Sequence, residues 1–284
     1  MLKQRVITAI ALLLILLPAL FYASPAPFCA LALVLISAGA WEWGRLNGCD
    51  SKASLGLGAL LALAGGATWA GGLLSVNLSW VWMVAAGCWV VASVWLLRQG
   101  VPAWAAIPRW VRLVGGFLML WCAWLAVAQA RVVGINFLLS SLVLVWVADI
   151  FAYFAGKAWG GRFTRSKLAP SISPGKSWEG VWGGMAGVLV LALVWLQIDK
   201  VWQLAVPSLY SQLAMNGFWV LGLGALMIAV MSVVGDLIES LIKRSAGVKD
   251  SSGLLPGHGG VLDRVDALLP TLPLAMMFHS LLAP

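Results

Sequence analysis

The sequence predicts an all-α bundle of about nine transmembrane helices, folded as a single membrane domain. Of the 284 residues, 62% are hydrophobic and only 10% are charged. A water-soluble domain carries roughly 25% charged residues, so a soluble fold is excluded. The apolar residues also come in runs close to the length, about 20 residues, that a helix needs to cross a bilayer. These runs cover residues 6–23, 27–44, 55–74, 79–97, 112–130, 134–154, 180–198, 217–239 and 267–283.

The first run follows the basic residues Lys3 and Arg5, as the apolar part of a signal peptide does. No convincing cleavage site follows it, and the second apolar run starts almost at once. We therefore interpret residues 6–23 as a retained membrane anchor.

The distribution of basic residues predicts the orientation. With nine spans, all but two of the 18 Lys and Arg residues fall on one side of the membrane, and the exceptions are Arg131 and Lys200. Because basic residues concentrate in cytoplasmic loops, we expect a cytoplasmic N-terminus and an external C-terminus. This bias accounts for most of the net charge of +8, so the charge does not indicate a nucleic-acid partner.

Charge is concentrated late in the chain. Residues 1–135 are apolar helices with short connectors, whereas residues 136–284 contain the two longest cytoplasmic loops, 156–178 and 241–265. We therefore predict that residues 136–284 form the catalytic portion.

Two acidic residues of the eighth run, Asp236 and Glu239, share a helix face with Lys243, because the spacings are three and four. A carboxylate within an apolar helix is costly unless it faces the interior with a partner, so Asp236 is a candidate metal ligand. Glu239 has two interpretations, an ion pair with Lys243 at the membrane surface or a role in the site.

Two further acids, Asp263 and Asp266, precede the last apolar run. Asp266 fits either the cap of the following helix or a member of the site. Mg²⁺ prefers one or two carboxylates completed by water and substrate phosphates. We predict that Asp236 and Asp263 hold one Mg²⁺ between two helix ends.

The loop between these acids combines cations with glycine-rich backbone, which suits phosphate binding. For His258, a structural hydrogen bond within the glycine turn and a contact with phosphate are both open. The candidates in this segment are Lys243, Arg244, Lys249, Asp250, His258, Gly259, Gly260 and Arg264.

An earlier set of candidates surrounds the end of the sixth run. Asp149 is the only charge within that run and is therefore a functional candidate, with Tyr153 one turn away on the same face. Lys157 and Lys176 lie in the following loop, where phosphate binding and the cytoplasmic bias of basic residues both explain them. Ser177 fits the N-cap of the next helix. Acids, cations and glycine-rich backbone at one membrane surface indicate cation-assisted phosphoryl or nucleotidyl transfer.

Residues 240–266 resemble the signature of the phosphatidate cytidylyltransferase, or CDP-diacylglycerol synthase, family. That signature has Ser before Lys-Arg, then Lys-Asp, an apolar-Pro pair, His-Gly-Gly and Asp-Arg-x-Asp. The matching residues are Ser240, Lys243, Arg244, Lys249, Asp250, Ser252, Leu255, Pro256, His258, Gly259, Gly260, Asp263, Arg264 and Asp266. A second similar block comprises Asp149, Tyr153, Gly156, Lys157, Ser173, Pro174, Lys176, Trp178 and Glu179. In this block Gly175 and Ser177 stand where Lys and Thr are common.

The resemblance implies a step of phospholipid biosynthesis, in which CTP and phosphatidic acid give CDP-diacylglycerol and pyrophosphate. The phosphatidate oxygen is already anionic, so its in-line attack on the CTP α-phosphorus needs charge neutralisation and positioning more than a strong base. Besides Mg²⁺, the family implies a second cation, K⁺ or Mg²⁺, and a homodimer. The expected location is the bacterial inner membrane, with the site facing the cytoplasm and the acyl chains entering from the surrounding lipid.

We assign catalytic roles to Asp236, Asp263, Lys249 and Arg264. The expected substrate contacts are Lys176, Lys243, Arg244, His258, Gly259, Gly260, Asp149, Tyr153, Lys157, Ser173, Glu239, Asp250 and Asp266. Which of the basic residues holds CTP and which holds phosphatidate is open.

Three other functions are weighed against this one. A CTP-dependent polyprenol kinase would attack the γ-phosphorus, release CDP and need a general base, for which His258 or a spare carboxylate is available. A CDP-alcohol phosphotransferase is disfavoured because its Asp-rich run within one span pair is missing. A transporter is disfavoured because no internal repeat is found and the outer half of the bilayer is expected to be nearly bare of polar groups.

Overall fold

The computed structural model describes residues 2–164 and 166–282, so residue 283, at the end of the ninth predicted run, lies outside it. The described residues form twelve α-helices and one 3₁₀ helix, Leu73–Ser75, with no β-strand in these two ranges. The helices are α1 (Leu2–Phe21), α2 (Ala26–Leu46), α3 (Ser51–Ala70), α4 (Ser79–Gln99), α5 (Val101–Ala106), α6 (Arg109–Val133), α7 (Ile135–Trp159), α8 (Trp178–Trp202), α9 (Leu209–Met215), α10 (Phe218–Ser245), α11 (Leu262–Val265) and α12 (Leu268–Leu282).

Seven of these helices are long and apolar enough to cross a membrane, namely α2, α3, α4, α6, α7, α8 and α10. Two shorter apolar helices, Val6–Phe21 within α1 and Leu268–Leu282, coincide with the first and ninth predicted runs. The all-α, multi-pass membrane architecture is therefore confirmed. The number of nine crossings and the orientation of the termini stay predictions.

Large apolar side chains cover the outside of the bundle. Leu14, Leu63 and Val91 expose 70%, 71% and 71% of their surface. An apolar surface of this extent marks a protein that contacts lipid or a partner. Here it matches the long apolar helices, whose outer faces meet the acyl chains.

Small residues let α7 and α8 approach each other closely. A Cβ at Gly184 would lie 2.7 Å from the carbonyl oxygen of Ala148, and one at Gly180 would lie 2.9 Å from that of Ala152. Glycine at such positions is typical of tightly packed membrane helices. The packing holds Asp149, the residue after Ala148, beside the start of α8.

The helix ends remote from the charged loops contain polar residues that satisfy one another. Asp199, near the end of α8, accepts hydrogen bonds from Asn136 Nδ2 (2.9 Å), the Ser208 N–H (3.0 Å) and Ser211 Oγ (2.5 Å). The buried Arg131 donates to two backbone carbonyls at the end of α1, at 3.0 and 2.6 Å. The expectation that this half is nearly bare of polar groups is therefore wrong. The groups have protein partners, as expected of a structural network.

Candidate active site

Lys243, near the end of α10, lies between two carboxylates. Its ammonium group contacts the Glu239 carboxylate one turn earlier and lies 2.6 Å from Asp263 Oδ1. The ion-pair interpretation of Glu239 is confirmed, because residues four apart are neighbours on a helix. All three side chains are largely buried. Any substrate oxygen that binds Lys243 must therefore compete with these carboxylates.

Asp263, at the start of α11, is held by four donors. Its Oδ2 accepts from the Ser251 N–H (2.9 Å), Ser251 Oγ (2.9 Å) and the Gly260 N–H (2.7 Å), while Oδ1 faces Lys243. Burial alone would raise the pKa of Asp263, but the hydrogen bonds from Lys243, Gly260 and Ser251 outweigh burial and hold this pKa below its ordinary value. Asp263 is therefore an ionised carboxylate that organises the loop before it.

Two glycines allow the backbone to approach Asp263. Gly259 has φ +84°, and a Cβ there would lie 2.6 Å from Asp263 Oδ2. A Cβ at Gly260 would lie 2.1 Å from Ser251 Oγ. Both positions therefore require glycine, the first for its conformation as well as its space. The backbone N–H of His258 closes the turn, but its buried Nδ1 has no hydrogen-bond partner among the described residues.

A second ion pair joins the loop before α8 to α10. Lys176 Nζ lies 2.6 Å from Asp236 Oδ2, and the two side chains are 25% and 35% exposed. Among the described residues, the other oxygen of Asp236 accepts a single, long contact, 3.3 Å, from Ser240 Oγ. Asp236 thus faces a cation from another segment and stays partly accessible, and its role as a metal ligand stays a prediction.

Asp266 lies close to the acidic end of α10. A Cβ at Gly235 would come within 2.5 Å of the Asp266 carbonyl oxygen, so the two backbones are in contact. Burial, together with the negative charges of Asp236 and Asp149, raises the pKa of Asp266. Its Oδ1 accepts from the adjacent Ala267 N–H (2.7 Å), a local bond at the start of α12. An N-cap accepts from the residue two or three positions on, so the bond from Ala267 is not a cap, and the structure favours the placement of Asp266 in the acidic cluster.

The loop between α7 and α8 is fastened at both ends. Glu179, buried in the first turn of α8, accepts from the Phe163 N–H (3.0 Å), the Thr164 N–H (2.8 Å) and Thr164 Oγ1 (2.9 Å). Ser177 caps α8 by accepting from the Gly180 N–H (3.2 Å), as predicted.

Ser173 and Arg244 are both bound to protein backbone. The Ser173 carbonyl accepts from the Lys176 N–H (3.2 Å), within a turn of the α7–α8 loop. Arg244 donates to the carbonyls of Ile172 (3.4 Å) and Val248 (3.2 Å). Arg244 therefore connects the two charged loops, an arrangement that spacing along the chain does not predict.

The other predicted residues line two separate cavities. The first, of about 540 Å³, lies between α7, α8 and α10, and we call it the helix cavity. Its polar lining includes Asp149, Tyr153, Lys157, Lys176 and Asp236. Within it the Lys157 Nζ lies 5.9 Å from the centre of the Tyr153 ring.

The second cavity, of about 340 Å³, is formed by the loop after α10, and we call it the glycine-loop cavity. Its lining includes Lys249, Asp250, Ser252, His258, Gly259 and Arg264. The predicted site is therefore divided between two pockets. Asp263 itself lines neither cavity, but its sequence neighbour Arg264 lines the second one.

Residues 3–282 match the family model described as the cytidylyltransferase family. The chain belongs to the cytidylyltransferase family. It is 40% identical over 283 residues to the phosphatidate cytidylyltransferase of Pseudomonas aeruginosa, covering 96% of this chain and 95% of that one. It is 36% identical over 299 residues to that of Haemophilus influenzae, covering 98% and 99%. The protein named phosphatidate cytidylyltransferase in Bacillus subtilis is 41% identical over 140 residues, 49% of this chain and 46% of that one.

Membership of the cytidylyltransferase family confirms the resemblance found in the sequence, and it makes the chain a nucleotidyltransferase. The relatives are bacterial proteins and the chain has several long apolar helices. Both observations support a multi-pass protein of the bacterial inner membrane.

One residue of this cytidylyltransferase was missed at the sequence level. Glu42, on α2, is fully buried, and four donor groups of residues 251–262 lie within hydrogen-bond distance of its carboxylate. A signal was available, because Glu42 is a lone acid within the second apolar run, the criterion that selected Asp149.

Proposed function

We propose that this chain converts CTP and phosphatidic acid to CDP-diacylglycerol and pyrophosphate, a step of phospholipid biosynthesis. The observation that carries the proposal is the Lys176–Asp236 pair in the wall of the helix cavity. It places a cation that can bind a lipid phosphate beside a carboxylate that can bind a divalent cation, in a pocket between membrane helices. The names of the relatives from Pseudomonas aeruginosa and Haemophilus influenzae support the same reaction.

The helix cavity suits phosphatidic acid. Leu168, Val181 and Val233 supply apolar lining, and Lys157 and Lys176 supply positive charge. A diacylglycerol phosphate has the same division between an apolar body and an anionic head. In the proposed complex the lysines bind the phosphate, while the acyl chains lie along the apolar helices.

The glycine-loop cavity suits the triphosphate of CTP. Lys249 and Arg264 contribute two cations, and Gly257 and Gly259 leave the backbone accessible to anions. His258 lines the same cavity, where its ring can contact an oxygen of the nucleotide. This division assigns the two groups of basic residues to different substrates, which spacing left open.

Mg²⁺ is the cation that a triphosphate substrate normally requires. We propose Asp236 and Asp263 as its protein ligands. Within the described ranges no three His, Cys, Asp or Glu side chains form a metal cluster, so water and phosphate oxygens would complete the coordination. Asp236 fits this role, because among the described residues its Oδ1 accepts a single long contact, from Ser240. Asp263 would have to turn its Oδ1 from the Lys243 ammonium group to the metal ion, since its Oδ2 already faces donors from Ser251 and Gly260.

Asp149 and Asp266 add negative charge beside Asp236, and Lys176 is the cation paired with that group. We therefore include a second cation, K⁺ or Mg²⁺, in the proposal. When bound, the cations neutralise charge on the reacting phosphates.

The protein groups then have a positioning and electrostatic task. Lys176 holds the phosphatidate phosphate so that one of its oxygens forms the new bond to the α-phosphorus. The bond from the α-phosphorus to the bridging oxygen of the β-phosphate breaks, and that oxygen leaves with pyrophosphate. Lys249 and Arg264 stabilise the charge that accumulates on the leaving group. No proton needs to be removed from an anionic nucleophile, so the scheme requires no general base.

The reaction is tested with purified protein in micelles containing phosphatidic acid, given CTP labelled at either the α- or the γ-phosphorus, with and without Mg²⁺. We expect the α label in the lipid product and the γ label in pyrophosphate. Transfer of the γ label to lipid with release of CDP would identify a lipid kinase instead. Absence of product from phosphatidic acid under all cation conditions would reject the proposal.

The proposal also includes a homodimer and a site that faces the cytoplasm. Mass measurement of the protein in detergent tests the first. Labelling of a single cysteine introduced at the exposed Lys249, in sealed inner-membrane vesicles of known orientation, tests the second.

A further inference from the structure

Glu42 fastens the glycine loop from a helix two hundred residues away in the chain. Its Oε1 accepts from Ser252 Oγ (2.5 Å) and the Val261 N–H (2.9 Å). Its Oε2 accepts from the Leu262 N–H (2.8 Å) and lies 3.2 Å from Ser251 Oγ. The donors come from residues 251–252 and 261–262, on both sides of the glycine turn at residues 257–260. One carboxylate therefore holds the two ends of the glycine loop, residues 251–262, together.

This carboxylate has no basic partner among the described residues, where the ion pairs involve Lys176 and Lys243. Its side chain is fully buried. Burying a carboxylate is costly, and here only neutral hydroxyl and amide donors offset that cost. A buried acid held in this way points to a task that an apolar residue could not perform.

The two ends of the glycine loop determine the position of Asp263. Ser251 Oγ lies within hydrogen-bond distance of both Glu42 Oε2 and Asp263 Oδ2, at 3.2 and 2.9 Å. Gly260, which donates to Asp263, sits so close to Glu42 that a Cβ there would lie 2.3 Å from Oε1. The Glu42 carboxylate and the Asp263 carboxylate therefore share the same short stretch of backbone.

We propose that Glu42 is a positioning residue for the reaction. By fixing residues 251–262 at both ends, it sets the Asp263 carboxylate and the lining of the glycine-loop cavity in place before substrate binds. Its effect on turnover rests on the proposed function, whereas its effect on the loop does not.

The arrangement requires two acceptor oxygens. Each oxygen of Glu42 faces one hydroxyl and one backbone N–H. In Glu42→Gln the amide nitrogen would face a backbone N–H whichever way the amide turned, and a backbone N–H cannot reverse its direction as a hydroxyl can. This isosteric variant therefore removes one acceptor and places the NH₂ group of the amide against a backbone N–H, so that two donors face each other. The packing volume is unchanged.

A matched variant, Asp199→Asn, distinguishes a positioning role of Glu42 from a general loss of stability. Asp199 also accepts from a backbone N–H and a hydroxyl, but at the far end of α8, remote from both cavities. Both variants convert one hydrogen-bonded carboxylate to its amide. Only Glu42→Gln should alter the loop.

The experiment compares the full-length wild type, Glu42→Gln and Asp199→Asn in detergent, by hydrogen–deuterium exchange and by turnover of CTP and phosphatidic acid. For Glu42→Gln we expect amide exchange of residues 251–262 to be faster by about ten- to a hundredfold, the effect of one unsatisfied buried group. We expect turnover per folded molecule to fall by a similar factor. For Asp199→Asn we expect faster exchange only around residues 199–211 and near wild-type turnover.

Unchanged exchange of residues 251–262 in Glu42→Gln would overturn the proposal, as would an equal loss of turnover in Asp199→Asn. If Glu42→Gln does not fold, Ser252→Ala removes one donor to Glu42, together with the acceptor of the Leu254 N–H. Exchange at Val261 and Leu262, which donate to Glu42, should then be faster, and unaltered exchange at these two residues would also overturn the proposal. The exchange measurement uses no substrate. An inactive wild type would therefore refute the proposed function without affecting the result for the loop.

Discussion

Lys176 and Asp236 form an ion pair, with Nζ 2.6 Å from Oδ2, although they lie in different segments of the chain. The lysine belongs to the loop before α8 and the aspartate to the last part of α10. The pair joins the residues expected to bind phosphate to those expected to bind a metal ion.

Replacing Lys176 should weaken the use of phosphatidic acid. We expect Lys176→Ala to raise KM for phosphatidic acid and lower kcat, together by about ten- to a hundredfold, because one charge-assisted contact to the phosphate is lost. Steady-state kinetics at varied lipid fraction in micelles provides the measurement. Lys167→Ala is the control, since Lys167 lies in the same loop, is exposed and donates to the Pro174 carbonyl (2.7 Å). Equal kinetics for the two variants would exclude Lys176 from the lipid site.

Asp263→Asn should abolish nearly all Mg²⁺-dependent turnover while the protein stays folded in detergent. The amide has the size of the carboxylate, but its nitrogen cannot accept from Ser251 or Gly260, and the charge that faces Lys243 is lost. Turnover at rising Mg²⁺ concentration and thermal unfolding are both measured. Asp50→Asn is the matched control, because Asp50 caps α3 and asparagine caps a helix equally well. Near-normal turnover of Asp263→Asn would remove this residue from the metal proposal.

Lys249→Ala should impair binding of CTP more than binding of phosphatidic acid. Lys249 is exposed and lines the glycine-loop cavity, where we place the triphosphate. We expect KM for CTP to rise by about tenfold, as for one lost contact to a charged group. Titrations with each substrate in turn measure the effect, with the exposed Lys52→Ala as the control. A change confined to the lipid titration would contradict the assignment of the two cavities.

Gly260→Ala should disrupt the site through a single methyl group. Its Cβ would lie 2.1 Å from Ser251 Oγ and 2.3 Å from Glu42 Oε1, so the loop backbone must move. We expect a loss of stability of about 1–3 kcal/mol, as for an overpacked site, and a larger relative loss of turnover. Gly222→Ala on α10 is the control, because nothing lies within 4 Å of its Cβ position. Thermal unfolding and turnover are measured for both variants. A fully active Gly260→Ala would contradict the prediction and would show that the loop tolerates displacement.

The features predicted correctly from the sequence are those that depend on neighbours along the chain. The helices follow from the apolar runs, the Glu239–Lys243 pair from a spacing of four, and the Ser177 cap from its place before α8. The family was recognisable because its signature is a dense local pattern. The residues of that pattern do lie together around the glycine loop and the end of α10.

The sequence by itself determined that the chain is an all-helical membrane protein of this family, and it predicted that the chemistry lies in residues 136–284. Only the tertiary structure decided that Lys243 turns to Asp263, that Lys176 reaches Asp236, and that Glu42 closes the loop from α2. The physical reason is that a helix face is set by local periodicity, whereas a hydrogen bond between distant segments depends on how whole helices pack. An apolar run shows that a helix is buried in lipid or protein, but it does not show which carboxylate will meet which donor.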